Sequence, residues 1–231
     1  MTQDQILKAL SYVDDPDLNK DLVTLGMIQK IEIDGQKVAF DLVLTTPACP
    51  MKESIARACT TAIHTMVSAD ADVQINITSN VQSSRENSTV LSGIRNIIAI
   101  ASGKGGVGKS TVAINLAKTL SEAGAKVGLL DADIHGPSIP TLLGTQGQKP
   151  AMEGELMLPI EFNGLKTMSI GYLVESKQAL VWRGPMLSKA ISQFCTDVKW
   201  GDLDYLFVDL PPGTGDAHLS IMQHIPLSGV V

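Results

Sequence analysis

Apolar positions in the first 78 residues follow two different periods. Ile6, Leu7 and Leu10 share one face of a 3.6-residue repeat and predict a short helix over 3–13. The acidic turn Asp14-Asp15-Pro16-Asp17 should stop it, because proline disfavours helix in the residue before it. Segments 27–33 and 37–44 predict a β-hairpin turning at Asp34-Gly35, a pair suited to the positive φ of a tight turn. A loop over 45–50 leads to a helix predicted over 52–67. Val73, Ile75 and Ile77 then alternate with polar residues, as in a half-buried strand.

Residues 79–92 are polar, rich in Ser and Asn and without apolar periodicity, and read as a linker. From Gly93 the pattern changes to strand (94–101), glycine-rich loop (102–109), helix (110–123, ended by Gly124) and buried strand (126–130). Strands alternating with helices imply parallel pairing and right-handed crossovers. A further hairpin is expected within 153–171, turning at Asn163-Gly164. A helix should begin over 187–194 and lead to a strand over 205–210. Residues 225–231 resemble the opening of another buried strand, so a chain truncated at its C-terminus is expected. The fold class is therefore α/β: a small α+β domain (1–78), a linker (79–92), and a domain with a mostly parallel sheet, incomplete at its C-terminus (93–231).

Hydrophobic residues make up 44% of the 231 positions and charged residues 18%, which excludes a disordered chain. With 4% aromatics, the core must be filled by aliphatic side chains and Met. A net charge of −6 argues against a nucleic-acid partner, which normally demands a basic footprint. Residues 1–15 lack the basic and apolar regions of a signal peptide, and no apolar run is long enough to span a bilayer. A cytoplasmic setting without a membrane partner is the expectation. Three cysteines with no C-x-x-C favour free thiols over a disulfide framework.

The strongest chemical signal is Gly103-Lys104-Gly105-Gly106-Val107-Gly108-Lys109-Ser110, followed by Thr111. It fits G-x-x-x-x-G-K-[ST] and lies between a predicted strand and a predicted helix, as a phosphate-binding loop must. The glycines let successive backbone N–H groups turn toward phosphate oxygens, and the helix adds its positive end. Lys109 supplies a point charge to the β- and γ-phosphates, and the Ser110 hydroxyl suits Mg²⁺. Asp131 and Asp133 follow a buried strand at the edge where open α/β sheets hold ligands, although such carboxylates also cap turns. Asp209 ends another strand and runs into Leu210-Pro211-Pro212-Gly213-Thr214-Gly215-Asp216.

With Lys104, the loop resembles the deviant Walker A ATPases, the group that includes ParA, MinD and the nitrogenase iron protein. That resemblance implies a homodimer sandwiching two nucleotides, with Lys104 reaching the partner's phosphates and acting with Lys109 in catalysis. It also implies that Asp133 positions the attacking water, and that Asp131 lies near the Mg²⁺ shell. Asp209 would hold an Mg²⁺-bound water, and the Gly213 amide would sense the γ-phosphate. ATP as the nucleotide rests on the resemblance alone.

Residues 131–138, Met168-Ser169-Ile170-Gly171-Tyr172, Trp182-Arg183-Gly184-Pro185-Met186 and 209–216 are similar to the Mrp (ApbC-like) iron–sulfur carriers. Asp14-Asp15-Pro16-Asp17-Leu18, residues 25–28 and Thr46-Pro47-Ala48-Cys49-Pro50 are similar to the SufT-related iron–sulfur-assembly domain. The resemblance implies an ATPase that carries iron–sulfur clusters, with apo iron–sulfur proteins and scaffold proteins as partners. The C-x-x-C pair of that branch is not in this sequence, so its cluster ligands do not carry over. Cys49 precedes a predicted helix whose positive end favours thiolate, which makes it a candidate iron–sulfur ligand, while a buried, inert thiol stays open. Cys59 and Cys195 read as core, and His64, His135, His218 and His224 show no ligand spacing with the cysteines. The alternative function is a ParA- or MinD-like switch for spatial organisation on DNA or membrane.

Overall fold

The computed structural model describes residues 1–83, 91–133, 136–173, 191, 193–213 and 225–231, which divide into two compact units, Met1–Val81 and Gln82–Val231. In the first unit α1 (Gln3–Leu10) starts at a capping box, with Thr2 accepting from the Gln5 amide and the Gln5 side chain accepting from the Thr2 amide. The helix is three residues shorter than its apolar pattern predicts. Val13 bonds to Leu22 instead, beside a two-residue ladder of β1 (Asp14–Asp15) and β2 (Lys20–Asp21), and this pairing competes with another helical turn.

β3 (Ile28–Asp34) and β4 (Lys37–Leu44) form the expected hairpin, shifted by one residue at its tip. Asp34 still pairs with Lys37, so the loop is Gly35-Gln36, and the positive φ of 60° sits at Gly35, the first loop position. β5 (Asp72–Ser79) joins β4 in parallel across the connecting helix α2 (Lys52–Met66). Ile6 and Leu10 of α1, Ile55, Cys59 and Ile63 of α2, and Val38, Phe40, Leu42 and Leu44 of β4 form one buried core.

In the second unit the strands are β6 (Ile94–Ile100), β7 (Val127–Asp131), β10 (Ile160–Phe162), β11 (Leu165–Ser169), β12 (Leu203–Asp209) and β13 (Gly229–Val230). Their order is β10-β11-β7-β12-β6-β13, all parallel except the β10–β11 hairpin. That hairpin turns at Asn163-Gly164, with φ of 47° and 80°, the pair of left-handed residues its tight turn demands. A second small hairpin, β8 (Met152–Glu153) with β9 (Leu156–Met157), precedes it. α3 (Lys109–Glu122) packs Ala113 and Ala117 against Ile100, Val127, Leu129 and Phe207 on one face. Leu130, Leu206, Val208 and Trp200 belong to a separate apolar cluster. A short helix α4 (Ile139–Leu142) follows β7, and a 3₁₀ turn (Ile170–Tyr172) ends β11.

Near the expected linker, Asn80 donates to Leu44, Ser83 to Arg95, and the Asn96 side chain to Gln82, all through main-chain carbonyls. The rest of that segment, 84–90, lies outside the described residues, as do Trp182–Met186 of the sequence motif and most of the helix expected over 187–194. Ile191 and residues 193–196 are helical.

Candidate nucleotide site

Parallel register brings the site together. Ile100 of β6, Asp209 of β12, Asp131 of β7 and Ser169 of β11 are paired neighbours across four strands, at the C-terminal edge of the sheet. Beyond Ile100 the chain leaves β6 through the glycine loop and enters α3 at Lys109. Gly106 and Gly108 hold φ of 74° and 95°, a region closed to most side chains. A Cβ added at Gly103, Gly106 or Gly108 would meet nothing within 4 Å, so the space beside these glycines is open, and Lys104 and Val107 are exposed. Gly105 approaches the Pro212 ring, 3.8 Å from the place of its missing Cβ.

α3 is preceded at its N-cap by Gly108, which has no side chain to cap the helix, and carries no acidic residue in its first turn. Its positive end therefore faces the loop without an internal counter-charge. Its first two side chains converge on one carboxylate. The Lys109 ammonium lies 2.6 Å from Asp209 Oδ1, and the Ser110 hydroxyl donates to Asp209 Oδ2 at 2.5 Å. Lys109 also reaches Ser110 Oγ at 3.4 Å. Asp209 is fully buried and the Lys109 side chain only 7% exposed, so this charge pair is nearly dry. Thr111 stands exposed on the next position of the helix.

Asp131 is also fully buried, but its oxygens serve the loop that follows it. Oδ1 accepts from the Asp133 amide at 3.2 Å, and Oδ2 accepts from the Ile139 amide at 3.1 Å and the Ser169 hydroxyl at 3.0 Å. Burial pushes its carboxyl up to about 7; the Asp209 charge adds to the rise and the three donors oppose it. Asp133 is half-buried and accepts from the Gly136 amide at 3.3 Å. The Gly213 amide, at φ 117°, donates to the Ser102 carbonyl at 2.9 Å, which ties the segment after β12 to the base of the glycine loop. Thr214, Gly215 and Asp216 lie outside the described residues, as do His135, His218 and His224.

Lys109, Ser110, Asp209, Gly213 and the glycine loop thus lie in one place, with Asp131 and Asp133 on the adjoining strand end. The sequence presents Ser169 only as part of the Met168–Tyr172 motif, with no role of its own. Its place beside Asp131 comes from parallel pairing of strands 38 positions apart, which local periodicity does not encode. The donor set suits a magnesium nucleotide: an open cradle of amides, a lysine, a hydroxyl and a carboxylate within hydrogen-bond distance of one another.

Cys49 belongs to the first unit. It is 9% exposed, packed in that unit's apolar core, and its carbonyl accepts from Lys52 at the start of α2. Cys59 and Cys195 are buried free thiols, and burial pushes both up to about 12. Among the described residues, no group of three His, Cys, Asp or Glu is gathered for a metal ion. No described helix is long and apolar enough to cross a membrane.

A family model described as ParA, NUBPL iron-transfer P-loop NTPase, matches residues 93–231, more than half of the chain. The chain belongs to that family. A second model, described as an iron-sulfur cluster assembly protein, matches residues 3–77. An iron-sulfur cluster carrier protein of Synechocystis sp. is 47% identical over 236 residues, covering 100% of this chain and 67% of the relative. The protein of the same name in Escherichia coli K12 is 43% identical, covering 94% of this chain and 59% of the relative. The chloroplastic Fe-S cluster assembly factor HCF101 of Oryza sativa subsp. japonica is 42% identical, covering 98% and 43%. The chain thus spans from about two-fifths to two-thirds of the length of these relatives. A nucleotide-binding protein from Archaeoglobus fulgidus, solved in complex with ADP, superposes with a TM-score of 0.51 at 46% identity, covering 58% of this chain and 51% of that one.

Proposed function

We propose that this protein binds ATP with Mg²⁺ at the Gly103–Ser110 loop, hydrolyses it as a dimer, and uses the cycle to carry iron–sulfur clusters to apoproteins. The observation that carries the nucleotide reading is the convergence of Lys109 and Ser110 on Asp209 beneath an open glycine cradle. Gly103, Gly105, Gly106, Val107 and Gly108 offer backbone donors to the phosphates, Lys109 adds charge, and Thr111 extends the cradle onto α3. Ser110 and Asp209 would hold the metal, with Asp131 behind them. Mg²⁺, when bound, neutralises phosphate charge. Asp133 orients water, and the Gly213 amide marks the end of the nucleotide.

Lys104 is exposed on the loop and available to the phosphates of a second copy, where it would stabilise developing charge. The ADP complex of the Archaeoglobus relative supports an adenine nucleotide, and the carrier names of the relatives support cluster transfer. Cys49 is the candidate cluster ligand in the first unit.

The test pairs two lysine variants. Lys109→Ala should abolish nucleotide binding, and Lys104→Ala should retain binding but lower turnover about 100-fold or more. Equal turnover by the parent and Lys109→Ala would show the activity to be foreign and end the ATPase reading. The carrier reading is tested separately by anaerobic reconstitution, iron quantification and activation of an apo-ferredoxin-type acceptor. It fails if the protein activates no acceptor, and Cys49 loses its role if Cys49→Ser retains the same iron.

A further inference from the structure

A buried chain of hydroxyls stands behind the Asp131–Asp133 loop, and none of the roles above uses it. At the end of β11 the 3₁₀ turn swings the Tyr172 side chain back into the interior, where it is 3% exposed. Its hydroxyl lies 2.7 Å from Thr145 Oγ1 and 2.9 Å from Thr167 Oγ1, and both threonines are buried. Thr167 Oγ1 also donates to the Ile160 carbonyl at 3.1 Å. Each hydroxyl has one proton to give: Thr167 gives its own to Ile160 and so accepts from Tyr172, while the Thr145 hydroxyl lies within reach of both the Pro140 carbonyl, at 3.4 Å, and Tyr172.

This chain meets α4 at its far end. Thr145 follows α4, and its amide donates to the Pro140 carbonyl. The near end of α4 is held by Asp131, which accepts from the Ile139 amide. α4 is therefore pinned at its first residue from β7 and just past its last from β11, and the loop bearing Asp133 spans the gap before it. The same 3₁₀ turn presses on that loop. A Cβ on Gly171 would stand 3.2 Å from Pro140 Cγ and 3.3 Å from both Pro137 Cβ and Ser169 Oγ, so a side chain there would have to push these neighbours back by a few tenths of an ångström.

We infer that Tyr172, with Thr145 and Thr167, is a positioning brace that fixes the Asp133 loop for hydrolysis. The inference rests on the ATPase reading above. The described hydrogen bonds of the three hydroxyls run to one another and to the Pro140 and Ile160 carbonyls, so the brace acts on turnover and not on nucleotide binding. A brace that fixes geometry at a distance changes kcat where a misplaced group costs rate.

Tyr172→Phe and Thr145→Val each delete one link with almost no change of shape. For these variants and their double, kcat, KM for ATP, affinity for a fluorescent ADP analogue and the thermal midpoint are to be measured beside the parent. The expected result is a kcat lowered about fivefold or more, with KM and ADP affinity within about twofold, and a double variant no worse than the worse single. Hydrogen exchange should quicken in 139–145 and stay unchanged in α3. Variants that turn over at the parent's rate overturn this inference alone. So does a loss in which kcat, ADP affinity and thermal midpoint fall together, since that marks a merely structural role. A parent without Lys109-dependent turnover overturns the functional reading and this inference together.

Discussion

Asp131 and Asp209 sit at paired positions of adjacent strands, both fully buried, yet their surroundings give them different work. Asp209 faces an ammonium and a hydroxyl, whereas Asp131 accepts from two amides and a hydroxyl. Burial raises the Asp131 carboxyl to about 7, and the like charge of Asp209 on the neighbouring strand adds to the rise. The sign for stability follows. Between the ordinary carboxylate value of 3.8 and about 7, the folded chain keeps a proton that the unfolded chain releases. The contribution of Asp131 is therefore fully present below about pH 4 and is lost as pH rises through about 7. Asp131→Asn should flatten this part of the profile, measured as unfolding midpoint in urea between pH 4.5 and 7.5. An unchanged slope would mean that Asp131 is already ionised throughout. The residue types at 131 and 209 are plain in the sequence; which of them meets the lysine depends on where α3 starts relative to β12.

At the scale of elements, β7 shows how a strand can be required by its neighbours. All five of its residues are buried, and Gly128 is where the cluster around Trp200 comes closest. A Cβ there would stand 2.7 Å from Leu203 Cδ1, 2.9 Å from Leu206 Cδ1 and 3.1 Å from Trp200 Cζ3. The Leu methyls can yield, but only by pushing on a filled interior. Gly128→Ala should cost about 1–3 kcal/mol, read from equilibrium denaturation with unchanged denaturant slope. Stability equal to the parent would show that the two leucines repack freely. Local signals served the elements well where the code is local. Asn163-Gly164 turns a hairpin because both residues tolerate left-handed angles. They served less well at Gly35 and at the end of α1, where pairing across the chain chose between neighbouring registers.

At the scale of the molecule, each unit has an apolar core of its own, so damage to one should leave the other's chemistry standing. Leu42, fully buried on β4 in the first unit, provides the test. Leu42→Ala should cost that unit about 2–5 kcal/mol while affinity for a fluorescent ADP analogue changes less than about twofold. A parallel loss of affinity would show that the nucleotide site depends on the first unit's integrity. The order of elements, two α/β regions of different kind and a phosphate loop between strand and helix were legible in the sequence, because periodicity and glycine spacing are properties of short segments.

What the sequence determined by itself was thus the kind of chemistry: a glycine cradle with Lys104, Lys109 and Ser110, and acids at strand ends. Only the tertiary structure decided the partners. Parallel register put Ser169 beside Asp131 and Asp131 beside Asp209, and the different donors that reach each carboxylate then separated their roles. It also gathered Thr145, Thr167 and Tyr172 into one hydroxyl chain. Such meetings depend on which strands lie side by side and on how dry the space between them is, and both are set by long-range packing that no short stretch of sequence records.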